Sequence, residues 1–176
     1  MNKTHATHRF SVAEIAKIGL VAAIYVVLTV MPPLNNLAYG PLQFRLSEIL
    51  NFLPFYNKKY IWGVTLGCFV SNLFSSNIAV VDMVVGTGQT LICLLIGVWL
   101  FDRYKKQYFG PFNRAFVYFA VFDAIFGMAI IAAELLLVYK TPFFFMWGTI
   151  AAGEFLVLLI GALIIDQLGK RIDLTK

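Results

Sequence analysis

Long apolar runs dominate this sequence, and they decide the solvent in which the chain can fold. The run from about Ser11 to Met31 contains few polar residues, and three comparable runs follow later in the chain. A helix needs about 20 apolar residues to cross the hydrocarbon layer of a membrane, which is roughly 30 Å thick, because each residue advances it by about 1.5 Å. The sequence therefore predicts an all-α, polytopic membrane protein.

The composition supports that prediction and excludes other classes of protein. Hydrophobic residues make up 60% of the 176 residues and charged residues only 13%, whereas a soluble domain is about 45–50% apolar and about 25% charged. A disordered tail, a disulfide-stapled secreted module and an ordinary soluble enzyme are excluded. The length predicts a single domain. Cys68 and Cys93 lie inside apolar runs and are predicted to be reduced, buried thiols.

Six helices are predicted to form one transmembrane bundle. Ser11 and Glu14 have the spacing of a capping box, and Pro32 and Pro33 stop the first helix. A cleaved signal peptide is the alternative for the first run, but no small-x-small cleavage site follows it. The predicted helices cover about 11–31, 44–56, 60–76, 80–101, 113–139 and 143–168, with an irregular stretch, 32–43, as a candidate outer lid.

The basic residues predict the orientation of the bundle. If all six segments cross and the N-terminus is inside, then of the 14 lysines and arginines only Arg45 and Lys140 lie outside. Cytoplasmic loops carry such an excess of positive charge. If the short second segment did not cross, Lys58 and Lys59 would move outside and the asymmetry would be lost. We therefore predict six passes with both termini in the cytoplasm.

Polar side chains inside the spans predict a ligand pocket in the outer half of the bundle. Such residues are costly in a membrane and usually face the bundle interior. Asp82, Gly86 and Gln89 share one helical face, and the face with Trp147 and Glu154 repeats that spacing. Asp123 lies on the inner half and is predicted to support packing or partner contact. The candidate binding residues are Arg45, Glu48, Asn72, Asp82, Gln89, Glu134, Trp147 and Glu154.

Each of these positions also has a structural alternative. Arg45 and Glu48 could form an intrahelical ion pair, and Asp82 could be the N-cap of its helix. Asn72 could hold two helices together, and Glu134 could be solvated near the interface. Glu154 is the strongest candidate because it lies deep, with no basic neighbour in its own segment.

The sequence offers little support for catalysis. It has no Walker A pattern, and its histidines, His5 and His8, lie in the N-terminal tail, so intramembrane zinc or serine–histidine chemistry lacks its residues. No catalytic residue, cofactor or metal site is predicted. Ala16, Gly19 and Ala23 share one face of the first helix, and such small residues let another helix approach closely. That face is predicted either to pack within the bundle or to bind a partner protein.

The stretch from Gly40 to Ser76, GPLQFRLSEILNFLPFYNKKYIWGVTLGCFVSNLFSS, resembles the QueT family of queuosine-precursor transporters. Asp82, the following GTGQTL and the opening EIAKIGLVAAIYVVLTV are similar to the same family. The resemblance covers most of the chain up to about Leu100, and the last two segments match mainly in hydropathy.

This resemblance implies a substrate-binding subunit, or S-component, of an energy-coupling factor (ECF) transporter in the bacterial cytoplasmic membrane. Such a subunit is a six-helix membrane protein that works with a transmembrane coupling subunit and two cytoplasmic ATPase subunits, and it does not contact nucleic acid. Many S-components carry an Ala-xxx-Ala pattern in the first helix. Here the nearest match is Gly19-xxx-Ala23.

The ligand implied by the resemblance is 7-cyano- or 7-aminomethyl-7-deazaguanine, or queuine. A carboxylate accepts the two adjacent N–H donors of a guanine edge, and Asn51 joins Gln89, Asn72 and Arg45 as a donor for its acceptors. Three alternatives remain open: an S-component for another vitamin or nucleobase, a stand-alone secondary transporter that uses Asp123 and Glu154, and a membrane enzyme or scaffold.

Overall fold

The computed structural model describes residues 11–38, 43–74 and 79–175, and in this part of the chain nearly all regular structure is helical. Apart from the helices, one short hairpin pairs Tyr108–Phe109 (β1) with Phe112–Asn113 (β2). The helices are α1 (Val12–Val30), α2 (Leu34–Ala38), a 3-10 helix (Leu46–Phe55), α3 (Tyr60–Asn72), α4 (Ala79–Phe101), α5 (Arg114–Phe122), a π-helical turn (Asp123–Gly127), α6 (Met128–Tyr139) and α7 (Phe143–Arg171); a single 3-10 turn, Asp102–Tyr104, follows α4.

The helices line up between two ends of one bundle. One end carries the start of α1, the turn at 56–59, the connection 102–113 and the end of α7, and we call it the basic end. Lys59 there forms an ion pair with Glu14, and the Tyr56 hydroxyl donates to the carbonyl of Ile165 at 3.4 Å. At the opposite end the Thr29 hydroxyl donates to Ser47 Oγ at 2.7 Å. The 3-10 helix therefore runs antiparallel to α1.

Within the described part of the chain, four segments are long and apolar enough to cross a membrane: Val12–Val30, Val80–Tyr104, Arg114–Tyr139 and Phe143–Arg171. They correspond to the first, fourth, fifth and sixth predicted spans. The 3-10 helix has 10 residues and α3 has 13. With rises of about 2.0 and 1.5 Å per residue, each covers about 20 Å, which is less than the hydrocarbon thickness. Six membrane passes therefore remain a prediction.

Local structure confirms some predicted boundaries and corrects others. The capping box is present, with reciprocal hydrogen bonds between Ser11 and Glu14. The predicted helix 44–56 is instead a 3-10 helix, and its last turn contains Pro54, which lacks an N–H donor. The stretch 32–43 was predicted to be irregular but contains α2, and its residues 39–42 lie outside the described part. Helix α3 ends at Asn72, four residues before the predicted end.

Close helix packing and an aromatic cluster hold the bundle together. A Cβ built on Gly67 would lie 2.6 Å from the Cβ of Tyr25, so glycine at this position lets α3 approach α1 closely. The ring of Phe52, in the 3-10 helix, stacks on that of Phe116 with 4.5 Å between the ring centres. It meets the Phe119 ring edge-on, with 5.8 Å between the centres. These contacts place the 3-10 helix in the centre of the bundle, where it is buried along most of its length.

The outer surface of the bundle is apolar, as expected for helices in contact with lipid. Large side chains are exposed on the outer faces, including Leu20 on α1, Trp99 on α4 and Leu137 on α6. Ala16, Gly19 and Ala23 are also exposed, and a Cβ on Gly19 would meet no atom within 4 Å. The small-residue face of α1 therefore does not pack within the described bundle.

Candidate functional site

Five buried polar side chains meet inside the bundle, and we call them the central cluster. They are Glu48 and Asn51 of the 3-10 helix, Gln89 of α4, Asp123 of the π turn and Glu154 of α7, and none is more than 6% exposed. Glu154 lies within electrostatic range of Glu48 and Asp123. Polar groups buried at this depth are costly unless they are hydrogen-bonded or have a role.

Glu48 is held in place by its own neighbours. The Tyr25 hydroxyl donates to Glu48 Oε1 in a short hydrogen bond, and Asn51 Nδ2 donates to Oε2 at 2.6 Å. Both carboxylate oxygens are thus engaged, which favours a positioning role for Glu48. Asn51 and Glu48 are three residues apart, and this spacing brings their side chains together on one face of the 3-10 helix.

The π-helical turn brings Asp123 into the cluster. Gln89 Nε2 donates to Asp123 Oδ1 at 3.0 Å. A Cβ on Gly127 would lie 2.2 Å from Asp123 Oδ1 and 2.5 Å from Gln89 Nε2, so only glycine leaves room for this pair. Single π turns inside α-helices occur frequently at functional sites. Asp123 was predicted to support packing or partner contact, and the structure brings it into contact with Gln89, one of the candidate binding residues.

Glu154 and Asn51 carry the acceptor atoms that the cluster leaves unused. Glu154 Oε1 and Asn51 Oδ1 are buried and have no hydrogen-bond partner. A buried acceptor without a partner costs about 1–3 kcal/mol. Both atoms can accept hydrogen bonds from a ligand with several N–H donors.

A second polar group lies nearer the opposite end, between α3, α4 and α6. Asn72 Nδ2 donates to the backbone carbonyl of Asp82 at 2.9 Å, so Asn72 connects α3 with α4. Asp82 lies in the first turn of α4 and is not its N-cap, since the helix already begins at Ala79. Glu134 is 5% exposed, which overturns the alternative that it is solvated.

Trp147 and Arg45 lie at the edge of these groups. Both are only partly buried, and Arg45 immediately precedes the 3-10 helix. The Trp147 indole N–H donates to the carbonyl of Ile125 at 3.0 Å, and its ring stacks on Phe143 at 6.1 Å. Because Ile125 belongs to the π turn, this hydrogen bond connects α7 with that turn.

Tyr25 and Thr90 contact these polar residues and were missed by sequence reasoning. Tyr25 is fully buried and bonds Glu48, while the Thr90 hydroxyl donates to Gln89 Oε1 at 3.3 Å. The i, i+4 spacing of Tyr25 and Thr29 on the buried face of α1 is a signal that identifies Tyr25 in retrospect. Among the described residues, no group of three or more His, Cys, Asp or Glu side chains is arranged to hold a metal ion.

Comparison with known proteins identifies the family. A family model described as the QueT transporter matches residues 15–170. The chain belongs to the QueT transporter family. A relative from Lactococcus lactis subsp. cremoris (strain MG1363), the queuosine precursor transporter QueT, is 53% identical over 165 residues, which cover 93% of this chain and 96% of the relative. No solved structure matches the chain significantly.

Membership of the QueT family confirms the resemblance inferred from the sequence. Together with the long apolar helices, it establishes an all-α, multi-pass membrane protein of a transporter family. The family match extends to residue 170 and so includes α5, α6 and α7. The sequence resemblance had been specific only as far as about Leu100.

Proposed function

We propose that the chain is the substrate-binding S-component of an ECF transporter and captures a queuosine precursor at the outer face of the bacterial cytoplasmic membrane. The ligand class comes from the name of the relative, which is 53% identical. The observation that carries the proposal is the central cluster, because it places carboxylate and amide groups with unused acceptors inside a largely apolar bundle.

The chemistry of a 7-deazaguanine matches these acceptors. Its guanine edge offers two adjacent N–H donors, which a carboxylate accepts in a bidentate pair. We assign that role to Glu154. Asn51 Oδ1 accepts a further N–H, and Gln89, held by Asp123, lines the same interior. Glu134 and Asp82 lie nearer the proposed entrance, where a cationic aminomethyl group favours a carboxylate.

Thermal stabilisation of the purified protein in detergent tests the ligand class. A ligand that binds only the folded state stabilises it by about 2.7 kcal/mol at a hundredfold excess over Kd. We expect an upward shift of Tm with 7-aminomethyl- or 7-cyano-7-deazaguanine or queuine, and none with guanine, riboflavin or folate. A shift with only riboflavin or folate would retain the S-component and reject the queuosine precursor.

The proposal includes six passes, with the basic end in the cytoplasm. Exposed Lys58 and Lys106 lie at that end, and exposed Lys140 lies at the other. The 3-10 helix is short but buried along most of its length, so longer helices shield it from lipid. Helix α3 is also short, and its exposed face with Trp62, Leu66 and Phe69 is apolar and suited to lipid contact. The α2 region is proposed as the lid over the entrance.

Cysteine labelling in intact cells tests this orientation. Lys140→Cys should react with a membrane-impermeant maleimide from outside, whereas Lys58→Cys and Lys106→Cys should react only after lysis. The native thiols at Cys68 and Cys93 are buried and provide a low background. Labelling of Lys58→Cys in intact cells would contradict a crossing by the 3-10 helix.

The proposed partners are a transmembrane coupling subunit and two cytoplasmic ATPase subunits, since the sequence has no Walker A motif. The exposed face with Ala16, Gly19 and Ala23 is the proposed contact for the coupling subunit. Uptake of the precursor into proteoliposomes should require the ATPase module and ATP. Uptake by this chain alone would support a secondary transporter instead.

A further inference from the structure

A cavity of about 250 Å³ opens at the basic end of the bundle, away from the central cluster. Its walls include four aromatic rings, those of Phe55, Tyr56, Tyr108 and Phe116, and Asp166 lies among them. Asp166 is 12 residues beyond Glu154 on α7, which corresponds to about 18 Å along the helix. The two sites are therefore separate.

Asp166 gives this cavity a buried negative charge. The residue is 2% exposed, and its Oδ1 accepts a hydrogen bond of 3.0 Å from the Tyr108 hydroxyl. Burial, and then this hydrogen bond to Asp166, raise the pKa of Tyr108 above its usual value, so the hydroxyl stays protonated and continues to donate. The other oxygen, Oδ2, is 2.6 Å from Lys170 Nζ.

The contacts of Lys170 indicate that the cavity accepts a primary ammonium group. Its ammonium contacts the Asp166 carboxylate and also lies 4.9 Å from the centre of the Tyr108 ring. A carboxylate beside an aromatic face is a favourable environment for a primary ammonium group. The chain thus occupies this site with its own ammonium.

The Lys170 side chain can leave the site for solvent. It is 50% exposed, and a lysine ammonium on a flexible four-carbon stem is readily solvated. The other cation of the cavity wall, Lys105, is paired with Asp102 at 2.9 Å. Departure of Lys170 would therefore leave the buried Asp166 carboxylate with the hydrogen bond from Tyr108, and an incoming ammonium would restore the lost compensation.

The walls favour a small, flat compound. A Cβ on Gly169 would lie 2.4 Å from the Tyr56 ring, so glycine lets this ring pack against α7 as a flat wall. The cavity volume lies just below the range of about 300–1,000 Å³ for pockets that hold drug-sized ligands. One or two aromatic rings would fit between the phenyl and tyrosyl walls.

We propose that this cavity is a second small-molecule site, which binds a primary ammonium group carried on a small flat ring by displacing Lys170 from Asp166. The site differs from the central cluster in position and in chemistry. The identity of the natural ligand rests on the proposed function. If that function holds, 7-aminomethyl-7-deazaguanine, which carries a primary ammonium group, is a natural ligand of the site, and the 7-cyano compound, which does not, is not.

Binding of benzylamine to the purified protein, measured by calorimetry, tests the proposal independently of the transport substrate. Lys170→Met removes the internal competitor and should tighten benzylamine binding at least about tenfold, in keeping with a gained charge-assisted hydrogen bond. Lys170→Arg keeps a cation there and should bind as weakly as the wild type. Benzyl alcohol, which lacks the charge, should gain nothing from Lys170→Met.

The Asp166→Asn variant should lower the affinity for benzylamine, and its Tm controls for misfolding. This near-isosteric change removes the charge, so benzylamine binding should be lost while Tm stays close to that of the wild type. Equal binding to Asp166→Asn, or no gain in Lys170→Met, would overturn the proposal. If Lys170→Met fails to fold, the comparison of benzylamine binding between Asp166→Asn and the wild type still tests the proposal.

A final experiment distinguishes failure of the second site from failure of the proposed function. In a Glu154→Gln background, 7-aminomethyl-7-deazaguanine should still bind at the second site and the 7-cyano compound should not. Benzylamine binding without any deazaguanine binding would retain the ammonium site and reject the proposed substrate. Deazaguanine binding at one site only, unaffected by Asp166→Asn, would retain the proposed function and reject the second site.

Discussion

Replacing Glu154 with glutamine is expected to weaken binding of 7-aminomethyl-7-deazaguanine at the central cluster by about 10- to 100-fold. Hydrogen bonds to a charged group contribute about 1.5–3 kcal/mol, and each 1.4 kcal/mol is a factor of ten in affinity. Glutamine has almost the same shape but replaces one carboxylate oxygen with a donor. Such a group cannot accept both N–H groups of the guanine edge. Isothermal titration of the purified variant measures the loss.

Glu14→Gln is the matched control for that experiment. Glu14 pairs with Lys59 near the surface, where ion pairs contribute about 0–1 kcal/mol, and glutamine also supports a capping box. Its ligand affinity should equal that of the wild type. If Glu154→Gln bound the ligand normally but melted at a lower temperature, Glu154 would be a structural residue and the proposed binding site would be wrong.

Replacing Gly127 with alanine should destabilise the protein and disturb the central cluster together. The added methyl group would lie 2.2 Å from Asp123 Oδ1 and 2.5 Å from Gln89 Nε2. Forcing an extra methyl group into a packed interior costs about 1–3 kcal/mol. For a chain of this length, Tm falls by about 2–4 °C per kcal/mol. Thermal unfolding followed by circular dichroism measures the loss, and ligand affinity should fall with it.

Gly148→Ala distinguishes this steric effect from the general effect of alanine in a helix. Gly148 lies in α7, and a Cβ there would meet nothing within 4 Å. Because alanine favours helices by up to about 1 kcal/mol over glycine, Tm should stay the same or rise slightly. A Gly127→Ala variant as stable as Gly148→Ala would show that Asp123 and Gln89 can move apart at little cost.

The sequence by itself determined that this protein folds in a membrane, where most of its long helices lie, and to which family it belongs. Apolar runs of membrane-spanning length are a local property, so α1, α4 and α7 could be located from spacing and composition. The capping box at Ser11 is equally local and was predicted correctly. The buried state of Glu48, Gln89 and Glu154 also follows from the cost of charge and polarity inside a membrane.

Only the tertiary structure decided which polar side chains meet. Helical phase gives the face on which a residue lies but not the neighbour opposite it, so the bond from Tyr25 to Glu48 was not predicted. The π turn adds residues to one turn of the helix and shifts the phase, which brings Asp123 to Gln89. Likewise, Asp166, Tyr108 and Tyr56 are distant in sequence and share a cavity only because three segments end at the same side of the bundle. Contacts of this kind depend on packing between segments, which spacing within a segment does not specify.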